Sequence, residues 1–163
     1  MVFYRAEGKI RTFTAHTVLT FAFFDDEAGI TRTFDALGLG APGQQGRKVF
    51  FEIAVEGDLT LARKGKFANI KKGQTNLPPL SSLAGMAQQQ EAGVVYAYYL
   101  KGKNGLTPIR HFRRQVLPLM ADREEEMQAF MQKFDFPLSN PLSYILLINY
   151  YNQLKKEVLT KVD

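Results

Sequence analysis

The stretch Val49–Lys66, VFFEIAVEGDLTLARKGK, constrains the fold of this 163-residue chain more than any other. Its residues alternate in character on both sides of a Glu56-Gly57-Asp58 turn. The glycine at the centre can take the positive φ angle that a tight reversal needs. The pattern therefore predicts a β-hairpin, and with it a chain that builds sheets. No catalytic or ligand-binding motif accompanies the hairpin.

Length and composition favour a single domain. With 163 residues and 45% apolar content, the chain can bury one core, with a β-rich part over residues 1–110 and a helical part over 111–163. The absence of cysteine excludes disulfides, thiolate nucleophiles and cysteine-ligated metals. The most apolar stretch, Leu142–Tyr151, is interrupted by Asn149 and is far shorter than the roughly 20 residues of a membrane-spanning helix. The N-terminal sequence has no apolar stretch followed by a small-residue cleavage site, so this chain is expected to carry no signal peptide.

Strand patterns fill the first two-thirds of the chain. Alternation and turn residues predict strands, in chain order, over residues 2–6, 9–13, 18–24 and 30–37, both arms of the hairpin, 94–100 and 106–110. The apolar density of Val18–Phe24 predicts a strand buried on one face and partly on the other. The segment 71–92, rich in proline, serine and glutamine, is expected to be irregular.

From residue 112 the apolar period becomes helical. Phe112–Met120 is predicted as one short helix. Asp122, with Glu125 three residues later, predicts the N-cap and capping box of the next helix. Asn140-Pro141 predicts the N-cap and first residue of the last one. The predicted fold class is α+β: an antiparallel curved sheet or partial β-barrel of about seven strands, followed by two or three C-terminal helices.

One phosphate-binding motif matches in its residues but lacks the helix that such a site requires. Gly38–Gly43 matches G-x-G-x-x-G, but dinucleotide binding requires a helix that begins at these glycines and presents its amides to the pyrophosphate. The sequence that follows predicts a loop and then a strand. No cofactor is therefore expected.

Histidines and carboxylates offer no recognisable catalytic pattern. His16 and His111 lie far apart, and neither has a partner at metal-ligand spacing. Glu52 alternates with apolar neighbours, which predicts a side chain facing solvent from a one-sided sheet. Asp25-Asp26 could act as an acid–base pair only in a suitable fold. Enzyme activity is therefore uncertain and disfavoured, and a hydrolase with its site under the 71–92 loop stays open as an alternative.

An acid-free basic run follows the hairpin. Its members, Lys101, Lys103, Arg110, Arg113 and Arg114, form the candidate anion-binding site of a chain with net charge +5. The simpler interpretation is a solvated strand end.

Aromatic residues offer a second candidate surface. A stacking platform for single-stranded nucleic acid could be built from Tyr96, Tyr98, Tyr99, Phe50 and Phe51 beside Arg47, Lys48, Lys101 and Lys103. Cross-strand packing of aromatic residues is the favoured interpretation, because no RNA-binding glycine–aromatic pattern is present.

Five pieces occur in a defined order between Val49 and Asn152. They are an F-F-E-x-x-V-E-G-x-x-x-L-x-R hairpin at Phe50–Arg63, a tyrosine-rich hairpin that begins Y-Y-L at Tyr98–Gly102, a basic Phe-Arg segment at Phe112–Arg114, an acidic helix at Asp122–Phe134 and an N-Y-Y-N helix end at Asn149–Asn152. In this order they resemble a family of uncharacterised proteins widespread in Bacteroidetes. The resemblance implies a typically exported, periplasmic or envelope location. It implies no established activity and no functional residues.

Three functional hypotheses follow. The leading one is a non-catalytic binding or structural module of the bacterial cell envelope, with a protein or a polyanion as partner. The second is a binder of nucleic acid or anionic glycan through the basic run. The third is the hydrolase.

Overall fold

The computed structural model describes residues 2–6, 9–39, 46–67, 94–103, 105–134 and 137–159; for residues 2–6, 9–11, 67, 158 and 159 it describes the backbone alone. Eight strands come first in these residues: β1 (Val2–Ala6), β2 (Lys9–Phe13), β3 (Thr20–Asp25), β4 (Ile30–Gly38), β5 (Lys48–Val55), β6 (Thr60–Phe67), β7 (Val94–Gly102) and β8 (Gly105–Pro108). Helices follow: α1 (Phe112–Gln115), a 3₁₀ helix (Leu117–Arg123), α2 (Glu124–Phe134) and α3 (Pro141–Leu159).

Strands β3 to β8 form one antiparallel sheet in sequence order, and β1 pairs with β2 in a separate antiparallel hairpin. The predicted α+β class and its antiparallel curved sheet are confirmed. The predicted burial of Val18–Phe24 is wrong. Among the described strands β3 pairs only with β4, and Phe23 and Phe24 on its two faces are 47% and 60% exposed. An apolar strand at the edge of a sheet lacks the neighbours that would cover it.

An ion pair shows how strongly the sheet curves. Lys101 Nζ of β7 lies 2.7 Å from Asp35 Oδ2 of β4, although two strands lie between them. In a flat sheet the two strands would be about 14 Å apart. The sheet therefore curls over the face that carries Phe51 and Tyr99, where Phe51 is fully buried with the Tyr99 ring 5.1 Å away. The described strands do not close into a barrel, since β3 and β8 do not pair.

The main core lies on the opposite face, between the sheet and the helices. Alternation along β7 puts Tyr98 on this face and Tyr99 on the other. The buried residues that meet there are Val55, Leu61 and Tyr98 from the sheet, and Phe112, Val116, Met120, Met127, Leu147, Ile148 and Tyr151 from the helical part. None of the helices in the described residues is long and apolar enough to cross a bilayer.

The helix boundaries confirm one predicted cap and correct another. Asn140 Oδ1 accepts a hydrogen bond from Leu142 N–H at 3.0 Å, as expected of the N-cap of α3. Asp122 does not cap α2, because the 3₁₀ helix runs through it to residue 123. Its carboxylate instead accepts hydrogen bonds from Tyr151 Oη at 2.9 Å and from Lys155 Nζ at 2.8 Å. The segment predicted as one helix is divided into α1 and the 3₁₀ helix near Pro118, which has no N–H to continue an α-helix.

The side chain of Asn152 joins α3 to the turn between β5 and β6. Its Oδ1 accepts a hydrogen bond from Leu59 N–H at 3.0 Å, and its Nδ2 donates to the carbonyls of Leu59 at 2.9 Å and Glu56 at 3.4 Å. Gly57 in this turn has φ of +155°, and a Cβ there would lie 2.5 Å from Asn152 Nδ2. The turn therefore requires glycine both for its backbone angle and for the closeness of Asn152.

Candidate ligand-binding groove

The predicted basic run does not form one free surface. Lys101 is paired with Asp35 on the curved inner face of the sheet. Lys103 is exposed in the turn after β7, and Arg110, Arg113 and Arg114 are exposed at and before α1. Within the part of the chain that the structure describes, these four side chains form no ion pair.

The predicted aromatic platform is divided between the two faces of the sheet. Tyr98 belongs to the helix-covered core, while Phe51 and Tyr99 pack together on the inner face. For these three residues the packing interpretation is correct. Phe50 and Tyr96 remain half-buried. Both line a groove of about 870 Å³ on the face of the sheet that also carries Tyr98, opposite Phe51 and Tyr99.

The groove exists because two halves of the sheet separate. Pairing between β5 and β6 ends at Glu52 and Arg63. Beyond this point β5 stays paired with β4 as far as Lys48, and β6 stays paired with β7 as far as Phe67. The Val49–Lys66 hairpin is thus confirmed, but its outer ends diverge and leave an opening between them.

Phenylalanine rings form one wall of the groove. The ring of Phe34 is stacked with those of Phe21, at 4.9 Å and 3°, and Phe23, at 5.7 Å and 10°. The ring of Phe50 meets Phe21 edge-on at 5.0 Å, and Phe13 of β2 meets Phe21 at 5.1 Å. This packing fixes the rings while leaving them partly exposed.

The facing wall is formed by Gly65 and Tyr96, which pair across β6 and β7. A Cβ on Gly65 would lie 3.4 Å from Tyr96 Cε1 and 3.0 Å from Val94 Cγ1, so the Tyr96 ring lies close over the glycine. The Arg63 guanidinium carbon is 4.4 Å from the centre of the same ring. Tyr96 is therefore held between a glycine and a cation.

Four paired charges form the closed end of the groove. Arg63 donates from Nε to Glu52 Oε2 at 2.7 Å and from Nη2 to Oε1 at 2.6 Å. Arg32 donates from Nη1 to Glu52 Oε1 at 3.3 Å and from Nε to Asp25 Oδ2 at 2.6 Å. In the described residues no buried side-chain polar atom lacks a hydrogen-bond partner.

The prediction that Glu52 faces solvent is wrong. Glu52 does lie on the face opposite Phe51, but it is only 7% exposed. Arg32 and Arg63 on the neighbouring strands cover the Glu52 side chain, so this face of the sheet is not open to solvent at Glu52. The alternation of side chains along a strand predicts which face of the sheet a residue lies on, but it does not predict whether other residues cover that face.

These contacts favour the charged forms of Asp25 and Arg63. Backbone hydrogen bonding from Ala28, and then the bond from Arg32, lower the pKa of Asp25 below its ordinary 3.8. Burial opposes the charge of Arg63, but its bonds to Glu52 outweigh burial and raise the pKa of Arg63. The carboxylates of Asp25 and Glu52 thus both bind Arg32 and do not point freely into the groove. The lowered pKa makes Asp25 a poor general acid or base near neutral pH.

The other candidate groups named from the sequence are dispersed in the described residues or lie outside them. His16 is exposed and lines the groove, whereas His111 is exposed before α1. The described histidines and carboxylates form no cluster of three or more that could hold a metal ion. Residues 40–43 of the glycine motif and the whole 71–92 segment lie outside the described residues, and β5 begins at Lys48.

Comparison with protein-family models, curated proteins and solved structures finds no match for this chain. The resemblance to a Bacteroidetes family therefore stays a prediction. The evidence for the groove is therefore the arrangement of its lining residues alone.

Proposed function

We propose that this protein is a non-catalytic binding module and that the groove between β5 and β6 is its ligand site. The observation that carries the proposal is a set of fixed, partly exposed aromatic rings beside a network of four paired charges, Asp25, Arg32, Glu52 and Arg63. Exposed apolar concavities with a few fixed polar groups are typical of ligand sites. The half-buried rings of Phe21, Phe34 and Phe50 supply the apolar area, together with the 47% exposed Phe23.

The paired charges support binding rather than catalysis. A hydrolase that used the two carboxylates at the closed end would need at least one of them free to exchange a proton with substrate. In the groove both Asp25 and Glu52 are bound by Arg32, and Glu52 is bound twice more by Arg63. Turnover of a defined substrate that is lost in a folded Glu52→Gln variant would overturn this part of the proposal.

A neutral solvatochromic dye such as Nile red tests the groove directly. We expect its fluorescence to report saturable binding that Phe50→Ala and Phe23→Ala both weaken, since each substitution removes a ring from the groove. Phe24→Ala is the matched control, because Phe24 is an exposed phenylalanine of the same strand as Phe23 on the opposite face. Circular dichroism would verify that each variant is folded. Absence of binding, or an equal loss in Phe24→Ala, would contradict the proposal.

The resemblance to exported proteins supports placing this module at the bacterial cell envelope. The upstream gene sequence and fractionation of cells that express the native gene would test this part. Recovery in the cytosolic fraction alone would contradict it.

A second candidate function is binding of an anionic polymer at the basic strand-end patch, defined as Lys103, Arg110, Arg113 and Arg114. The observation in its favour is that these four exposed side chains form no ion pair among the described residues. The patch predicts binding to single-stranded DNA or heparin that weakens steeply with salt, because bound cations release counterions. Lys101 is removed from the original candidate site, since Asp35 already neutralises it.

Charge-matched variants separate the two surfaces. Substituting Arg110, Arg113 and Arg114 by Gln should abolish polymer binding, whereas Arg47→Gln, Lys48→Gln and Lys66→Gln together should leave most of it. No binding at low salt, or equal losses in both triple variants, would eliminate the patch.

A further inference from the structure

We infer that the groove takes a hydrophobic anion: a flat apolar body against the rings and a negative group at the Arg47–Lys48 end. The inference rests on the proposed function, since it names the ligand class of the same groove. It is carried by the distribution of charge along the groove and by the order of side chains on β5.

Cations outnumber carboxylates around the groove. Five cationic side chains and three carboxylates belong to residues that line it. Arg32 and Arg63 are bound by Asp25 and Glu52, and these four charges cancel at the closed end. The Lys64 Nζ lies 5.8 Å from the centre of the Phe51 ring, on the inner face of the sheet.

Three charges therefore remain, and they lie at opposite ends. Arg47 and Lys48 are exposed at the open end, where β5 begins. Glu27 lies in the turn between β3 and β4, at the other end of β4. Lys48 pairs with Gly38, the last residue of β4, whereas Glu27 precedes Ile30, its first residue. The eight residues from Ile30 to Gly38 span about 26 Å, so Lys48 and Glu27 are at least about that far apart along the strand. That separation is about three Debye lengths at physiological salt, so Glu27 does not neutralise the two cations.

The open end has room for an anion beside an aromatic ring. Lys48 and Phe50 are two residues apart on β5, so they share a face with a spacing of about 7 Å. Lys48 pairs with Gly38, which has no side chain, and a Cβ built on Gly38 meets no atom of the described residues within 4 Å. A ligand whose apolar ring lies on Phe50 can thus place a negative group at Lys48 without displacing any neighbour that the structure describes.

The opposite wall suits a flat ligand. Gly65 places no side chain in the opening, and Tyr96 offers a ring held by Arg63. A cationic ligand would be repelled at the open end, and a neutral one would gain nothing from Arg47 and Lys48. The groove therefore favours an organic anion with an aromatic or similarly flat body.

Two dyes test this inference separately from the proposed function. The anionic probe is 8-anilino-1-naphthalenesulfonate, and the neutral probe is Nile red. In the Arg47→Gln/Lys48→Gln double variant we expect the affinity for the sulfonate to fall about fivefold to tenfold, because two surface charges are lost. Nile red affinity should change less than twofold. The wild-type affinity for the sulfonate should also fall with added salt.

The control variant is Arg113→Gln/Arg114→Gln, which removes two exposed charges far along the chain from the groove. Equal losses of sulfonate affinity in both double variants, or no loss in Arg47→Gln/Lys48→Gln, would overturn the anion inference. If Nile red binding still depends on Phe50 in that case, the groove proposal stands and only the ligand class is wrong. If neither dye depends on Phe50, both proposals fail.

Discussion

Glu52 and Arg63 face each other across β5 and β6 and are joined by two hydrogen bonds, of 2.7 and 2.6 Å, in a site where both residues are nearly excluded from water. The two residues mark the point where the hairpin arms separate. Their bidentate pairing closes one end of the groove and keeps the last cross-strand pair in register. The pair is thus structural, and its removal should be visible in stability.

Glu52→Gln should destabilise the fold by roughly 3 kcal/mol or more, because it leaves the buried Arg63 without its counter-charge. The measurement is the free energy of unfolding from urea titration. Glu56→Gln, which changes an exposed glutamate of the same hairpin, is the control and should have little effect. Replacing both members, with Glu52→Leu and Arg63→Met, should recover part of the loss. A wild-type midpoint for Glu52→Gln would contradict the structural role.

Asn152→Ala should cost about 2 kcal/mol, because the N–H and C=O of Leu59 both lose their partner. Asn149→Ala removes an exposed asparagine from the same helix and should be nearly neutral. Chemical denaturation of the two variants gives the comparison. Equal stabilities would show that the contact between α3 and the turn contributes nothing.

Gly57→Ala should destabilise by about 2 to 3 kcal/mol, since the new Cβ meets Asn152 and the φ of +155° is strained for alanine. Gly29→Ala separates the two causes. Gly29 also has a positive φ, +66°, but its Cβ position is open, so only about 1 kcal/mol of backbone strain is expected. The Gly57→Ala/Asn152→Ala double variant should lose less than the sum of the single losses. Full additivity would argue against the steric contact.

Acid should remove the stabilisation that Asp122 provides. Hydrogen bonds from Lys155 and Tyr151 lower the pKa of Asp122 below its ordinary 3.8. The unfolded chain therefore binds the proton more tightly, so this contribution is present above pH 3.8 and is lost as the pH falls through the lower folded value. Asp122→Asn should be less stable than wild type at neutral pH and approach it in acid. Asp26→Asn, at an exposed aspartate, should follow the wild-type curve, and parallel curves for Asp122→Asn would contradict the prediction.

The sequence predicted well where local chemistry decides the structure. Turn residues such as Gly57 and the helix start at Asn140 are specified by backbone angle and by hydrogen bonds within a few residues. The α+β order followed from the change of period near residue 112. Each of these predictions needed only a short stretch of neighbouring residues.

The predictions failed where distant strands decide the structure. Alternation placed Glu52 on the correct face, but Arg32, twenty residues away, determines that this face is covered. One signal was available: a turn centred between Gly57 and Asp58 sets Glu52 opposite Arg63, a pair of opposite charge. The edge position of β3 and the separation of β5 from β6 depend on sheet order, which the local pattern does not contain.

The link between Asn152 and the β5–β6 turn also has a consequence for the order of synthesis. Residue 152 leaves the ribosome long after Leu59, so the sheet emerges while its turn is still unclamped and its helix-facing side is bare. Until α3 arrives, Leu61 and Tyr98 present apolar surface to water and to other nascent chains. We therefore expect a chain that ends before α3 to keep this apolar surface exposed and to be prone to aggregation.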